Sequence, residues 1–405
     1  METSRSAQPQ MALNQTQYDL IIIGGGINGA GIARDASLRG LNVAIVEQNT
    51  WGSGTSSKSS KLAHGGLRYL EHFKFALVKE SLRERNILLK TAPDYVEPLE
   101  FLFPIYTHSK RPLWQIRIGM WLYRYLAEKS KLSHYSIINS ETISTHCPVL
   151  NTNKLTGGAL YFDAKMKDLE LVIACINDAK VHNATCLEHA KVTELIKHNK
   201  QIAGIKIHFE NSEHQLYAPH IINTTGAWAN SIQALDHPTK KPLVSPTKGV
   251  HLYVKNLGLK QALTLEAPQD NRIFFMIPGQ NNTLIGTTDT PFNEDPNTVN
   301  VDQTDIDYLL TACNHYLKNQ PLRESDIISS YAGLRPLQHS AKTASSRSRD
   351  FTLTQAKSGL WHMFGGKYTA FRHMAEVAVD TIIKTSTLRK TLSPCQTKTR
   401  PLPKP

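Results

Sequence analysis

The chain is 405 residues long with 40% hydrophobic and 20% charged residues, enough to bury a large core and to divide into two domains. Its 46 Lys and Arg against 34 Asp and Glu leave a net charge of +12, which favours phosphate-bearing or anionic-lipid partners, while the lack of any helix-turn-helix, zinc-finger or RNA-recognition pattern excludes nucleic acid. Five scattered cysteines (Cys147, Cys175, Cys186, Cys313 and Cys395) point to a reducing compartment with no disulfide framework and no metal site, and no apolar run reaches the roughly 20 residues of a membrane span.

Residues 1–17 are polar and read as a disordered extension, with Met11 as an alternative start. The stretch YDLIIIGGGINGAGIARDASLRGLNVAIVE, Tyr18 to Glu47, is the organising element of the sequence. Tyr18 to Ile23 is a short β-branched run that suits a strand of a parallel sheet buried on both faces. Gly24 permits a tight turn, Gly26 keeps side-chain atoms away from a pyrophosphate, and Gly29 lets the next helix pack against the strand. That helix, Asn28 to Arg39, turns its amide end toward the phosphates. A second strand, Asn42 to Val46, leads to Glu47, placed to accept hydrogen bonds from ribose hydroxyls. Strand, helix and acid together predict a dinucleotide site. An acid at Glu47 favours FAD or NAD(H) over NADP(H), and this stretch leaves those two open.

The loop NTWGSGTSSKSSKLAHGG is rich in small hydroxyl residues, including Ser59 and Ser60, and predicts ordered backbone lying against a flat ligand or phosphates. An amphipathic helix follows from Glu71 to Lys90. Here SSKSSKLAHGGLRYLEHF, together with the glycine stretch, resembles the FAD-dependent glycerol-3-phosphate dehydrogenases, respiratory enzymes that pass electrons to quinone. The similarity continues through RPLWQIRIG, TKGVHL, IGTTD, GLRPL, SRDFTL and FGGKYT, from Tyr18 to about Pro403.

Pro98 to Tyr106 reads as a strand and Pro112 to Lys129 as a helix. On that helix Trp114, Ile118, Trp121, Leu122 and Tyr125 form one stripe, and Lys110, Arg117, Arg124 and Lys131 another. Two readings stand: a helix on an anionic membrane surface, or a core-packing helix with a solvated basic face. Gly157 to Ala179 offers a strand and a helix, and Thr185 to Ile207 a meander. In HIINTTGAWAN, Ile221 and Ile222 lead into small residues and Gly226. This resembles the second cofactor contact of two-dinucleotide-binding-domain flavoproteins, which implies FAD. Lys240 to Pro321 is strand-rich with a helix from Thr304 to Leu317; Ile327 to Leu334 and Leu353 to Phe364 are further strands. Gly365, Gly366 and Lys367 open a last helix, Tyr368 to Lys384. The fold expected is mixed α/β: a Rossmann-like FAD domain from 18–95, 150–239 and 322–384, an inserted antiparallel substrate domain from 96–149 and 240–321, and a mobile basic tail over 385–405.

Oxidising a secondary alcohol needs a hydride acceptor, a base for the hydroxyl proton, positive charge near the oxygen, and a clamp for the phosphate. The resemblance implies Arg68, Tyr69 and Arg349 near the phosphate, and His251, Arg335 and Lys367 near C2, with His251 as base. It implies cofactor contacts at Gly24, Gly26, Gly29, Glu47, Ser59, Ser60, Gly226, Gly366, Lys367 and Thr369. The implied reaction oxidises sn-glycerol 3-phosphate to dihydroxyacetone phosphate on the cytoplasmic side of the inner membrane, with a ubiquinone-type acceptor and a homodimer as expected partners. An oxidase using oxygen and a truncated flavoprotein without turnover are the alternatives. Retention of Arg68, Arg335, Arg349 and Lys367 argues against the latter. The chain departs from the family in three places: Glu170 stands where an arginine is usual, Ala370 and Phe371 replace threonine and tyrosine, and the family generally continues into a helical C-terminal domain.

Overall fold

A computed structural model describes residues 17–128, 130, 132–238, 240–319, 321–339, 350–385 and 391–405. At its centre Leu20–Ile23 runs parallel between Val43–Val46 and His220–Asn223. Thr185–Leu187 lies beyond the former, Trp361–Gly365 beyond the latter, and Phe351–Gln355 closes the edge antiparallel, making six strands. All four residues of the central strand are buried because both faces of the sheet are covered. Leu20 and Ile22 pack into one core with the helices Ile27–Leu38, Asp168–Val181 and Phe371–Thr385. Ile21 and Ile23 point the other way, into a core shared with the antiparallel sheet of Lys191–His198, Gln201–Phe209 and Ser212–Tyr217. The strand's two-residue period thus bonds it to both layers.

The second unit is a ten-stranded, mainly antiparallel sheet. Along Val96–Tyr106, Leu102 faces a core with the helix Gln303–Asn314, whereas Phe101, Phe103 and Ile105 face the helices Phe75–Thr91 and Leu113–Leu126. Two strands that the sequence groups with the FAD-binding segments run in this sheet instead. Leu155–Met166 pairs with Val96–Tyr106 along its length, and Ile327–Arg335 pairs with Thr247–Lys255. Each carries the chain from one unit into the other. The run Leu353 to Phe364, expected as one strand, is a hairpin that turns at Gly359, whose φ of +88° suits glycine.

Two surface features depart from expectation. Residues 391–405 are docked, not mobile: Leu402 is buried and donates its N–H to the Thr91 carbonyl at 2.6 Å, Tyr95 Oη donates to the Pro403 carbonyl at 2.8 Å, and Arg34 donates to the Arg400 carbonyl at 3.0 Å. Pro394, Pro401, Pro403 and Pro405 interrupt any continuous helix here, yet the carbonyls of the segment remain good acceptors. On Leu113–Leu126 the residues that enter the core are Ile116, Met120 and Tyr123. Trp114 is 65% exposed, Trp121 61% and Tyr125 71%, so the helix packs on the core by a different stripe from the aromatic one, and Arg117 and Arg124 are exposed as well. Lys129 and Lys131 fall outside the described residues. Among the described residues no helix is long and apolar enough to cross a membrane.

Candidate active site

A cavity of about 520 Å³ opens where Ile23, Val46 and Thr224 end the central parallel strands, the place where open α/β sheets hold their ligands. Gly24 turns the chain with φ +109°. A Cβ on Gly26 would come within 3.1 Å of Ser56 Oγ, which itself accepts from the first helical amide, Ile27 N, at 2.9 Å. Gly29 stands behind the wall: a Cβ there would lie 2.0 Å from Gly24 O and 2.8 Å from Thr224 Oγ1. Thr224 in turn donates to the Ile23 and Gly24 carbonyls at 2.9 and 3.0 Å, so the two predicted cofactor contacts brace each other. Glu47 reaches back to accept from Gly25 N at 2.7 Å and from Asn49 N at 2.9 Å, leaving lone pairs at the cavity rim.

The serine-rich loop is ordered, as expected. Ser59 Oγ donates to buried Asp168 at 2.7 Å, Lys61 Nζ reaches the same carboxylate at 2.7 Å, and Tyr331 Oη donates to the Ser59 carbonyl at 2.7 Å. Ser59, Ser60, Gly226, Gly366, Lys367 and Thr369 all line the cavity. Gly226 and Gly366 take left-handed φ of +58° and +78°, and a Cβ on Gly366 would meet Met374 at 2.5 Å. A wall kept free of Cβ atoms, helix amides, a rim carboxylate and hydroxyls fit a dinucleotide cofactor of the FAD type.

A second cavity of about 450 Å³ shares Ser60, His64, Tyr69 and Arg335 with the first. Arg335 seats its guanidinium over Gly249, where a Cβ would sit 2.3 Å from Nη2. It donates to Thr287 Oγ1 at 2.8 Å and to the Thr288 carbonyl at 3.0 Å, and pairs with Asp289 at 3.1 Å. Asp289 also holds Arg272 at 3.1 Å, so one buried carboxylate aligns two cations on the cavity wall. His251 lies across Gly286, whose missing Cβ would be 2.2 Å from the ring. Its Nε2 is 2.8 Å from Ser60 Oγ, and its ring stacks on Tyr331 at 5.0 Å. Burial, with Arg335 and Lys61 nearby, pushes the imidazole down to about 3, so it is neutral at physiological pH. Lys367 Nζ donates to the His64 carbonyl at 2.8 Å and lies over the Tyr69 ring at 5.3 Å; Arg68 lies over the same ring at 5.7 Å and lines the second cavity. Thr369 Oγ1 accepts from His64 N at 3.2 Å.

The structure therefore gathers Arg68, Tyr69, His251, Arg335 and Lys367 around one junction. Arg349 falls outside the described residues. Glu170 is exposed on the first turn of Asp168–Val181 and lines neither cavity, so the arginine it replaces is not missing from this wall. Asp163 also lines the second cavity, where it accepts from Tyr123 Oη at 2.8 Å and pairs with Arg85 at 2.7 Å. Sequence reasoning gave no role to His64, Thr287, Asp289, Arg272 or Asp163. The motifs HGGLRYL and IGTTD marked the first three without saying what they touch; Arg272 and Asp163 carry no local signal.

A model of the FAD dependent oxidoreductase family matches residues 19–379, the class that this sheet and cradle define. Among curated proteins, the chain is 36% identical to a glycerol-3-phosphate dehydrogenase of Synechocystis sp. over 96% of this chain and 74% of the relative. It is 33% identical to an aerobic glycerol-3-phosphate dehydrogenase of Staphylococcus haemolyticus, over 96% of this chain and 72% of that one. Among solved structures it resembles the glycerol-3-phosphate dehydrogenase of Bacillus halodurans complexed with FAD, with a TM-score of 0.79 at 30% identity, covering 96% of this chain and 68% of the other. The chain belongs to the FAD-dependent oxidoreductase family and stands among its glycerol-3-phosphate dehydrogenases. Its cofactor is FAD.

Proposed function

We propose that the protein oxidises sn-glycerol 3-phosphate to dihydroxyacetone phosphate and passes the electrons to a membrane quinone. The observation that carries this reading is the cationic junction, Arg335 above all, shared by the cofactor cavity and its neighbour. Bound FAD supplies the acceptor for the hydride leaving C2. Arg68, Tyr69 and Arg349 clamp the phosphate, Arg68 and Arg349 through the planar fork that suits phosphate oxygens. Ser60 faces both cavities with His251 Nε2 behind it, so the C2 hydroxyl proton moves to this pair. A histidine held as low as about 3 is a weak base, so positive charge has the larger share: Arg335 and Lys367 stabilise the developing oxyanion. In this reading the FAD-binding segments are 18–95, 150–239 and 322–384, the substrate segments are 96–149 and 240–321, and the strands Leu155–Met166 and Ile327–Arg335 span both.

A quinone acceptor is supported by the exposed Trp114, Ile118, Trp121 and Tyr125 beside Arg117 and Arg124, a combination that suits an anionic bilayer surface. The protein attaches there peripherally, on the cytoplasmic face of the inner membrane. The test is anaerobic mixing with glycerol 3-phosphate: the flavin bleaches, and a quinone analogue restores its colour faster than dissolved oxygen does. Failure to bleach refutes the dehydrogenase reading, and faster return with oxygen, accompanied by peroxide, assigns an oxidase.

A further inference from the structure

The segment that carries Arg68 and Tyr69 does little to hold itself in place. Both residues sit in the short helical turn Leu67–His72, none of whose residues is buried, and only Leu67, Tyr69 and Leu70 lean half-covered on the neighbouring core. Its backbone is left-handed at both ends, at Gly66 with φ +81° and at Phe73 with φ +54°. A phenylalanine keeps that conformation only where its surroundings impose it. Buried ion pairs tie both ends from outside. At the leading end Gly65 donates its N–H to Asp163 Oδ1 at 3.1 Å, and that carboxylate is fixed by Arg85 at 2.7 Å and by Tyr123 Oη at 2.8 Å. The fit is close: a Cβ on Gly65 would lie 2.3 Å from Tyr123 Oη. At the trailing end Glu71 accepts from Arg111 Nη2 at 2.8 Å and also from Arg111 Nε, while Arg111 Nη1 donates to buried Glu266. Glu266 in turn accepts from Lys110 N at 3.0 Å, so this tie is anchored in the strand behind it.

Glu71 and Asp163 both line the second cavity, where an anion is out of place beside a phosphate. A carboxylate there repels the substrate through space, so it is tolerated only if it contributes something else. What it contributes is geometry, since a bidentate arginine contact depends on where the planar fork points. Resting on the function proposed above, we infer that Glu71 and Asp163 are positioning residues for the phosphate clamp. They touch no phosphate; they fix the two ends of residues 64–73 so that Arg68 and Tyr69 meet it. Glu71 acts through Arg111, and Asp163 acts through Gly65 N. The His64 carbonyl on the same segment accepts from Lys367 Nζ at 2.8 Å, so the leading end also sets the clamp in register with the C2 side of the site.

Substitution at Glu71 separates position from charge, because the two predict opposite signs. Glu71→Gln and Glu71→Ala remove the same negative charge, but only glutamine leaves an oxygen for Arg111, which keeps Glu266 in both variants. In the FAD-loaded full chain, binding of inorganic phosphate, read by calorimetry, should weaken by about fivefold or more in Glu71→Ala and by less than about twofold in Glu71→Gln. The concentration of glycerol 3-phosphate that half-saturates anaerobic bleaching should rise in parallel, while the limiting rate stays within about threefold. Tyr123→Phe carries the test to the other end: no charge changes, Asp163 loses a donor, and phosphate binding should weaken by about threefold. Tighter phosphate binding in both Glu71 variants would mean that charge alone matters, and equal affinities would mean that this end needs no tie; either result overturns the role of Glu71. Unchanged affinity in Tyr123→Phe overturns that of Asp163. A limiting rate that falls as far as the affinity would show a general disturbance of the site and overturn both, as would native protein that binds no phosphate. Native protein that binds phosphate but does not bleach refutes the proposed function, yet the order of phosphate affinities among the variants still decides the positioning roles.

Discussion

The two cavities meet at the same residues yet are built on opposite principles. The cofactor cavity is shaped by backbone: its decisive positions are glycines, and Thr224 and Ser56 serve to hold the turn in shape. The second cavity is made by side chains from distant segments, with Arg335, Arg272 and Asp289 interlocked on its wall. A site made by backbone fails when something is added. A site made by side chains fails when something is taken away.

The largest effect should come from adding to the first site. Gly29→Val places a Cβ 2.0 Å from a carbonyl that no rotamer change can move, so at least about 3 kcal/mol of stability should be lost and the purified protein should be colourless. A yellow, stable variant would show that the turn can yield. Taking away from the second site comes next. Arg335→Ala leaves Asp289 paired with Arg272, so the protein should fold and keep its flavin, while bleaching by glycerol 3-phosphate slows by about 10²–10³-fold.

A smaller effect separates packing from titration at the junction. The folded imidazole of His251 refuses a proton that the unfolded chain accepts below 6.5, so its contribution to stability is full above that pH and is lost as pH falls toward about 3. By pH 4.5 the loss should be on the order of 2–3 kcal/mol. His251→Gln should show a shallower fall in melting temperature between pH 6.5 and 4.5 than the native protein; parallel curves would mean that His251 is open to water. The smallest effect belongs to the outer surface: replacing Arg117 and Arg124 together should weaken binding to anionic vesicles by about 2 kcal/mol in low salt, at about 1 kcal/mol for each charge, with bleaching in detergent unaltered.

The same contrast explains what was legible in the sequence. The glycine turn, its flanking strand and helix, and Glu47 could be read because the contacts they make are local or obey a fixed motif spacing. Local periodicity likewise located the Leu113–Leu126 helix, but Ile116, Met120 and Tyr123, not the aromatic stripe, turned out to face the core. A helix offers two candidate stripes, and which one is buried is decided by the sheet it packs on, here Phe101 and Phe103. The cations of the junction were reached by resemblance. Their partners were not, since Asp289 meets Arg335 across a gap of 46 residues and no short-range pattern encodes that pairing. The tail was misjudged because its anchors, Thr91, Tyr95 and Arg34, lie far back in the chain.

The order of strands in the parallel sheet bears on how the protein is made. Leu20–Ile23 leaves the ribosome early, but one of its two neighbours is His220–Asn223, and the hydroxyl that locks the glycine turn is 200 residues downstream. The strand beyond that neighbour, Trp361–Gly365, comes later still. Contacts so distant in sequence form slowly, and until they do an apolar segment lies unpaired beside a half-built cradle. The first motif translated is thus among the last to become a binding site. Flavin supply should therefore govern the yield of folded protein late in synthesis, when the final strands of the sheet have emerged, and have little influence before then.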